Sequence, residues 1–152
     1  MSRITTTYRG DMSFETVLGS HRLVIDVPAS MGGKDRAPTP PELFVASIGS
    51  CVGAFVASYC ERTGLDSRDM TVDVHFQKTQ DPTRLTDLSV VVNLPHARCD
   101  AREEAIRRVA EHCPVHETIV TMPRIDFEIH DQATAARDRA QRSTLRRTAA
   151  SA

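Results

Sequence analysis

The sequence lacks an excess of charge of either sign. Its 152 residues include 19 Lys and Arg against 20 Asp and Glu, which leaves a formal net charge of -1. Nucleic acids and anionic membranes attract proteins through clustered positive charge. The balanced composition gives no electrostatic reason to expect either partner, and we predict neither a nucleic-acid nor a membrane partner.

Apolar runs long enough to suggest a membrane or an export signal are also lacking. No run approaches the roughly 20 residues that cross a bilayer, and residues 1–15 have no apolar core of the secretory type. We therefore expect a cytoplasmic protein. Because thiols stay reduced there, its four cysteines are expected to be buried, metal-binding or catalytic: Cys51, Cys60, Cys99 and Cys113.

The chain has no internal repeat of fixed period, and its length suits one domain. About 150 residues bury roughly 70% of the surface of the unfolded chain, so folding requires no metal or disulfide. Residues 1–131 are predicted to form this domain. Residues 132–152, rich in Arg and Ala without a sustained apolar period, are predicted to be a tail.

Local patterns predict an α+β protein with antiparallel sheets. The order is strands, a long helix, two strands, a second helix, a short helix opened by Pro114, and a final strand. The predicted strands are Ile4–Tyr8, Leu23–Val27, Thr71–Gln77, Leu85–Leu94 and Arg124–His130. The second helix is expected over Ala101–His112, with Asp100 as its cap.

The long helix carries the clearest local signals. Thr39-Pro40-Pro41-Glu42 fits a capping box with prolines at the first helical positions, and Gly64 fits the C-terminal stop. The sequence between these ends is apolar almost all round and has no charge between Glu42 and Glu61. Such a helix is expected to be central and buried on most sides.

Cys51 lies in the middle of this helix, and two interpretations remain open. A buried cysteine often serves as a small core hydrophobe. Alternatively, Cys51 is a nucleophilic thiolate. A thiol with the ordinary pKa of about 8.5 is only a few per cent ionised at neutral pH. The helix dipole acts only within the first turn, so the nucleophile would need a cation from elsewhere in the fold.

The other cysteines have alternatives of their own. Cys113, in the sequence Cys-Pro-Val-His, is either a packing residue at a helix end or the thiol that resolves an oxidised Cys51. Cys60 lies nine residues after Cys51, on the opposite helix face, and is expected in the core. Cys99 is expected in the core or in an exposed loop. Two short segments, His96 to Cys99 and His112 to His116, offer possible metal ligands, and a site would use His96, Cys99, Cys113 and His116. Because the adjacent His112 and Cys113 point apart and a helix separates the two segments, we expect no metal.

Two segments together resemble the OsmC/Ohr family of thiol-dependent peroxidases. They are Pro40 to Cys51, in the long helix, and Cys113 to His116, about sixty residues later. The loop before the helix is closer to the OsmC-like branch. The resemblance covers roughly residues 5 to 130. It implies an OsmC-like fold in which antiparallel, six-stranded sheets wrap around two long central helices of an intertwined homodimer.

The resemblance also implies a reaction. Cys51 would attack an organic hydroperoxide and release the alcohol, and the resulting sulfenic acid would condense with Cys113. An external dithiol, a lipoyl group in the best-known branch, would reduce the disulfide, so no bound cofactor is expected. The resolving thiol stops oxidation before the sulfinic stage.

Two positions depart from the family pattern. Where the family commonly has a glutamate that orients an arginine over the cysteine, this chain has Pro41. Glu42 is acidic, and its role is either the helix cap or catalysis. The best match to the family arginine is Arg9, with Arg22 second. These departures support an alternative, a non-catalytic OsmC-like dimer that binds a hydrophobic small molecule.

Overall fold

The computed structural model describes residues 3–132 and residue 134, so most of the predicted tail lies outside the described residues. Contacts divide the chain into two units, residues 1–121 and 122–152. The first unit contains five strands and three helices among its described residues. These are β1 (Thr5–Gly10), β2 (Ser13–Leu18), β3 (His21–Ile25), α1 (Pro40–Thr63), β4 (Thr71–Gln80), β5 (Thr83–Asn93), α2 (Glu103–Glu111) and α3 (Pro114–Thr121).

The N-terminal strands form an antiparallel sheet in the order β1-β2-β3. Tight turns join them, and Gly10 and Gly19 at these turns have positive φ. In the register, Thr7 lies opposite Glu15 and Glu15 lies opposite Val24. The sequence predicted β1 and most of β3 but gave no separate prediction for β2, whose mixed composition has only a short alternation.

Helix α1 begins and ends where the local signals predict. Thr39 is the N-cap in an extended conformation, prolines occupy the first two helical positions, and Gly64 ends the helix with φ 71°. The Leu65 N–H then donates to the Cys60 carbonyl at 3.0 Å. Since proline restricts φ and glycine permits the left-handed region, these ends follow from the backbone alone.

One face of α1 packs along β4. Small residues permit the close approach: a Cβ added at Gly49 would lie 3.3 Å from Val74 Cγ2, tighter than ordinary contact. Strands β4 and β5 form an antiparallel pair that runs from Thr71 opposite Asn93 to Gln80 opposite Thr83. Helices α2 and α3 also contact α1.

A single buried cluster joins these elements. Its members are Val52, Val56 and Cys60 of α1, Ile106 of α2, and Cys113, which immediately precedes α3. Cys60 and Cys113 are both fully buried. The expectation that Cys60 belongs to the core is confirmed, as is the antiparallel α+β class.

Two local predictions were wrong. Asp100 does not cap α2, because Asp100–Arg102 form a 3-10 turn and Arg102 occupies the N-cap position. The segment Arg124–His130 alternates like a strand, yet residues 122–131 form no ladder among the described residues. An alternating segment becomes a strand only when it pairs with a partner strand, and no described strand pairs with this segment.

The connection from β3 to α1 is held by a buried carboxylate. Asp26 is fully buried. It accepts hydrogen bonds from the Val27 N–H at 2.8 Å, the Arg36 N–H at 3.1 Å and Arg36 Nε at 2.6 Å. The side-chain bond from Arg36 is the main cause that holds the pKa of Asp26 well below its usual range. Asp26 therefore stabilises the fold as an anion.

Acid should weaken this connection. The folded pKa of Asp26 is lower than the unfolded value of about 3.9, so its contribution is complete above that value and is lost as pH falls below it. We expect Asp26→Asn to reduce stability at neutral pH and to flatten the acid limb of the unfolding curve. Urea midpoints measured between pH 7 and pH 3 test this, with Asp35→Asn in the same loop as control. An unchanged acid slope in Asp26→Asn would contradict the assignment.

Candidate active site

The fold brings Cys51 and Cys113 together. Cys51 projects from the middle of α1, is half-buried, and packs against the core cluster that contains Cys113. The two thiols are close enough that Cys51 influences the ionisation of Cys113. Both cysteines are free thiols. The residues that are 62 positions apart in the sequence are therefore neighbours in the structure.

The surroundings of Cys113 act on its thiol in opposite directions. Burial raises the pKa of Cys113, and the hydrogen bond and charge of Cys51 raise it further. Against this, Cys113 Sγ accepts a hydrogen bond from the His116 N–H at 3.3 Å. This N–H belongs to the first turn of α3, whose unpaired donors favour negative charge. Cys113 is thus a buried thiol whose thiolate would be stabilised by backbone N–H groups of the first turn of α3.

An open groove lies beside the segments that carry the two cysteines, and its lining includes sequence neighbours of both but neither cysteine itself. Its volume is about 520 Å³. Ile48 and Val52, which flank Cys51 on α1, line one side, and His116 lines the other. Strand β5 contributes Val90 and Val92. Glu103, Arg107 and Glu111 of α2 also line the groove, so it combines an aliphatic wall with charged groups. Such a lining can take a ligand with an apolar part.

Arg9 lies in the N-terminal sheet, where a carboxylate holds it. Arg9 Nη2 donates to Glu15 Oε1 at 2.8 Å, and Arg22 Nη1 donates to the same oxygen at 2.7 Å. The bond from Arg9 is the main cause that lowers the pKa of Glu15. The arginines themselves are largely exposed. Both candidate arginines are thus oriented by one glutamate rather than by a residue of α1.

Glu42 forms the capping interaction. Its carboxylate accepts hydrogen bonds from the Thr39 N–H at 2.7 Å and from the Thr39 hydroxyl at 2.8 Å. These bonds lower the pKa of Glu42. Among the described residues it makes no ion pair, so its contacts are those of a cap. The catalytic role of Glu42 stays a prediction.

The residues considered for a metal site do not form one cluster, because each of three of them contacts a different part of the structure. His96 Nε2 contacts Asp69 Oδ2 at 2.9 Å, and Cys99 packs against the core cluster near Cys60. Cys113 lies beside Cys51. Within residues 3–132 and residue 134, no three His, Cys, Asp or Glu side chains form a metal-binding group.

Most of the chain matches a known protein family. A sequence model described as OsmC-like protein matches residues 32–129, well over half of the chain. The chain belongs to the OsmC family. The matched segment includes α1 with Cys51 and the Cys113 sequence. Comparison with curated proteins finds no match.

Solved structures share the OsmC fold at low sequence identity. A protein from Psychrobacter arcticus, described as an osmotic stress induced and detoxification response protein, has a TM-score of 0.70 at 22% identity. It covers 78% of this chain and 88% of its own. OhrB of Bacillus subtilis, an organic hydroperoxide resistance protein, has a TM-score of 0.54 at 20% identity and covers 83% and 93%.

A third OsmC structure is from Legionella pneumophila and is described as an organic hydroperoxide resistance protein OsmC. It has a TM-score of 0.57 at 20% identity and covers 78% of this chain and 88% of its own. At these identities the likeness establishes the shared fold.

Sequence reasoning missed two features of this OsmC-family site. Glu15 was not singled out, although the short turns after β1 and β2 place residue 15 beside residues 9 and 22 on one sheet face. Because side chains alternate between the two faces of a sheet, counting residues outward from each turn could have placed Glu15 beside both arginines. The His116 N–H was also missed. Pro114 at the start of α3 was the available signal, because it makes Cys113 the N-cap.

Proposed function

We propose that the protein is a two-cysteine thiol peroxidase that reduces organic hydroperoxides to alcohols. The observation that carries the proposal is the proximity of Cys51 and Cys113 in one packed cluster, next to a groove with an aliphatic wall. Family membership and solved relatives described as organic hydroperoxide resistance proteins support the same chemistry.

The reaction follows from the positions of the two thiols. Cys51 is the more exposed, so its thiolate meets the hydroperoxide first and attacks the terminal oxygen. The O–O bond breaks, the alkoxide takes a proton and leaves as the alcohol, and Cys51 becomes a sulfenic acid. The Cys113 thiolate then attacks the Cys51 sulfur, which forms the disulfide and displaces hydroxide; the hydroxide takes up the proton that Cys113 released and leaves as water. An external dithiol, such as a lipoyl group, returns both thiols to the reduced state.

The electrostatics of the pair set the order of these steps. The negative charge on Cys51 is one cause that raises the pKa of Cys113. Oxidation converts the Cys51 thiolate into a neutral sulfenic acid and removes this repulsion. Cys113 then ionises more readily, with the His116 N–H as partner of the thiolate. The resolving thiol is therefore activated when it is needed.

The groove favours an apolar hydroperoxide over hydrogen peroxide. Its aliphatic wall is formed by side chains of α1 and β5, including Ile48, Val52 and Val90. Burial of alkyl groups there contributes about 25 cal/mol per Å² of apolar surface, a gain that hydrogen peroxide cannot obtain.

In the proposed protein, a second copy of the chain completes the site. Two sequence expectations for α1 were wrong: that no apolar run approaches the length of a membrane span, and that the helix is buried on most sides. Helix α1 has a mean hydropathy of 1.8 over 18 residues and is long and apolar enough to cross a bilayer, and only 28% of that window is buried within the chain. The core helix of a water-soluble protein passes the same test of length and hydropathy, but such a helix is mostly buried. Phe44 and Phe55 remain 40% and 38% exposed. A second copy would cover this surface and form a homodimer.

The same assembly would supply the cation that Cys51 needs. Arg9 and Arg22 make their described ion pairs with Glu15, on the N-terminal sheet of the same chain. In the proposed homodimer, one of these guanidinium groups from the partner's N-terminal sheet would lie beside Cys51, and Glu15 would orient it. The reduced thiols required for the cycle fit the cytoplasmic location that the sequence predicts.

Replacement of the resolving thiol tests the mechanism. Cys113→Ser should consume one equivalent of cumene hydroperoxide per chain in a single turnover, because no disulfide can form. Any further equivalent should be consumed by oxidation of the Cys51 sulfenic acid to the sulfinic acid. Stopped-flow peroxide consumption and intact mass follow the two events, with Cys99→Ser as the matched control. Sustained turnover by Cys113→Ser with a dithiol reductant would contradict the resolving role.

A second function is favoured by the ion pairs of the N-terminal sheet. If Glu15 keeps both arginines away from Cys51, the same groove would bind a hydrophobic molecule without turnover. The rate of Cys51 alkylation by iodoacetamide separates the two functions. A rate that is already maximal at neutral pH supports the peroxidase, whereas one that still rises above pH 8 supports the binding protein.

A further inference from the structure

The four cysteines of the chain fall into two pairs, and the proposed peroxidase chemistry uses only one. Cys60 and Cys99 make up the second. Cys60 lies in the last turn of α1 and is fully buried in the core cluster. Cys99 is half-buried, packs against that cluster, and immediately precedes the 3-10 turn Asp100–Arg102.

Hydrogen bonds hold these two segments side by side. Arg102 Nη1 donates to the Thr63 carbonyl at 2.8 Å, which ties the 3-10 turn to the last residue of α1. Cys99 lies three residues before Arg102, and its carbonyl accepts the Arg102 N–H at 2.7 Å. Cys60 lies three residues before Thr63. One contact thus fixes the two cysteine-bearing turns against each other.

The thiols also interact with each other. Burial is the main cause that raises the pKa of Cys60, and the charge of Cys99 raises it further. The Cys99 sulfur is therefore within electrostatic reach of Cys60 inside the same packed region. Its partial exposure makes Cys99 the thiol that an oxidant from solution meets first.

From this juxtaposition we infer that Cys60 and Cys99 form a second redox-active dithiol, which is oxidised to a disulfide by small disulfides such as glutathione disulfide. The Cys99 thiolate attacks one sulfur of the small disulfide and releases one thiol, which leaves a mixed disulfide on Cys99. Cys60 then gives up its proton, attacks the Cys99 sulfur and releases the second thiol. Two protein thiols are oxidised, and one small disulfide is reduced to two thiols.

The link would fasten α1 to the segment that carries the resolving cysteine. The chain runs from Cys99 through the 3-10 turn and α2 directly to Cys113. A covalent bond at the start of this segment restricts the unfolded chain and anchors α2. The second pair would therefore respond to the thiol–disulfide balance of the compartment, and it does so whether or not Cys51 reduces peroxide.

The full chain with Cys51→Ser and Cys113→Ser isolates the second pair. After equilibration with glutathione disulfide and glutathione, acid quenching and alkylation, we expect both remaining thiols to be lost together. The chain should be lighter than its reduced form by two hydrogens, and digestion should yield one peptide pair that joins Cys60 to Cys99. Further addition of Cys99→Ser should leave Cys60 reduced.

Three results would overturn the inference: both thiols stay reduced, glutathione accumulates on Cys99 while Cys60 remains alkylatable, or the disulfide joins two chains. The unsubstituted chain provides the same test if the double variant does not fold. Peptide mapping of its oxidised form should then show the Cys60–Cys99 link. Pairing of Cys60 with any other cysteine, or a Cys60 that remains reduced, would overturn it.

Discussion

Cys51→Ser should reduce the rate of organic hydroperoxide consumption by more than about a thousandfold, as expected when the nucleophile of a covalent mechanism is removed. Serine preserves the size of the side chain but is a far weaker nucleophile at neutral pH. Because Cys51 is only half-buried at the surface of the core cluster, the substitution should leave the fold intact. Stopped-flow assays with cumene hydroperoxide under single-turnover conditions measure the effect.

The matched control is Cys99→Ser, which changes another half-buried cysteine outside the proposed active site. It should retain the rate of the unsubstituted chain. Circular dichroism and thermal unfolding of both variants separate loss of chemistry from loss of structure. A folded Cys51→Ser variant that consumes hydroperoxide at the original rate would refute the assigned nucleophile.

Gly33→Ala should produce the largest loss of stability from a single methyl group. A Cβ at this position would overlap the Val27 carbonyl oxygen and lie 2.7 Å from Asp26 Oδ1. These atoms belong to the backbone and to the buried carboxylate that holds the loop, so neither can move freely. We expect destabilisation by about 3 kcal/mol or more, measured by urea unfolding, and a Tm lowered by roughly 10 °C.

Gly53→Ala in α1 is the matched control for the glycine substitution. Its added Cβ would lie 3.5 Å from Val72 Cγ2, an ordinary contact. Alanine also favours a helix interior over glycine, so stability should be unchanged or rise by up to about 1 kcal/mol. Equal unfolding midpoints for Gly33→Ala and the unsubstituted chain would show that the loop relaxes around the added methyl group.

The ends of α1 could be predicted because their signals are local. Proline at Pro40 and Pro41 and glycine at Gly64 restrict or permit φ at their own positions, and the Thr39–Glu42 pair closes within four residues. Neither needs information from the rest of the chain. The same reasoning located Pro114 at the start of α3.

The partner strand of Arg124–His130 could not be predicted from its alternation. Ile125, Phe127 and Ile129 alternate as strand residues do and are 67%, 88% and 91% exposed. A ladder needs hydrogen-bonding groups from another segment, and a period of two residues does not say which segment supplies them. In the proposed homodimer the second copy would offer such a partner.

Prediction of the candidate active site required both local sequence signals and knowledge of which distant segments meet. Periodicity placed Cys51 on the long helix, and the proline placed Cys113 at a helix start. Only the resemblance to a family suggested that they meet, because sixty intervening residues fold between them. The arginine could not be assigned, since Arg9 and Arg22 have equivalent bonds to Glu15 and the sequence around each lacks a distinctive motif.

The most direct test of the account is the mass of the reduced protein after one equivalent of cumene hydroperoxide, followed by acid quenching, alkylation and peptide mapping. The account predicts a disulfide that joins Cys51 to Cys113 within one chain, with one alcohol released for each disulfide formed. A sulfinic acid on Cys51 beside an alkylated Cys113, or a Cys51 that stays reduced, would contradict it.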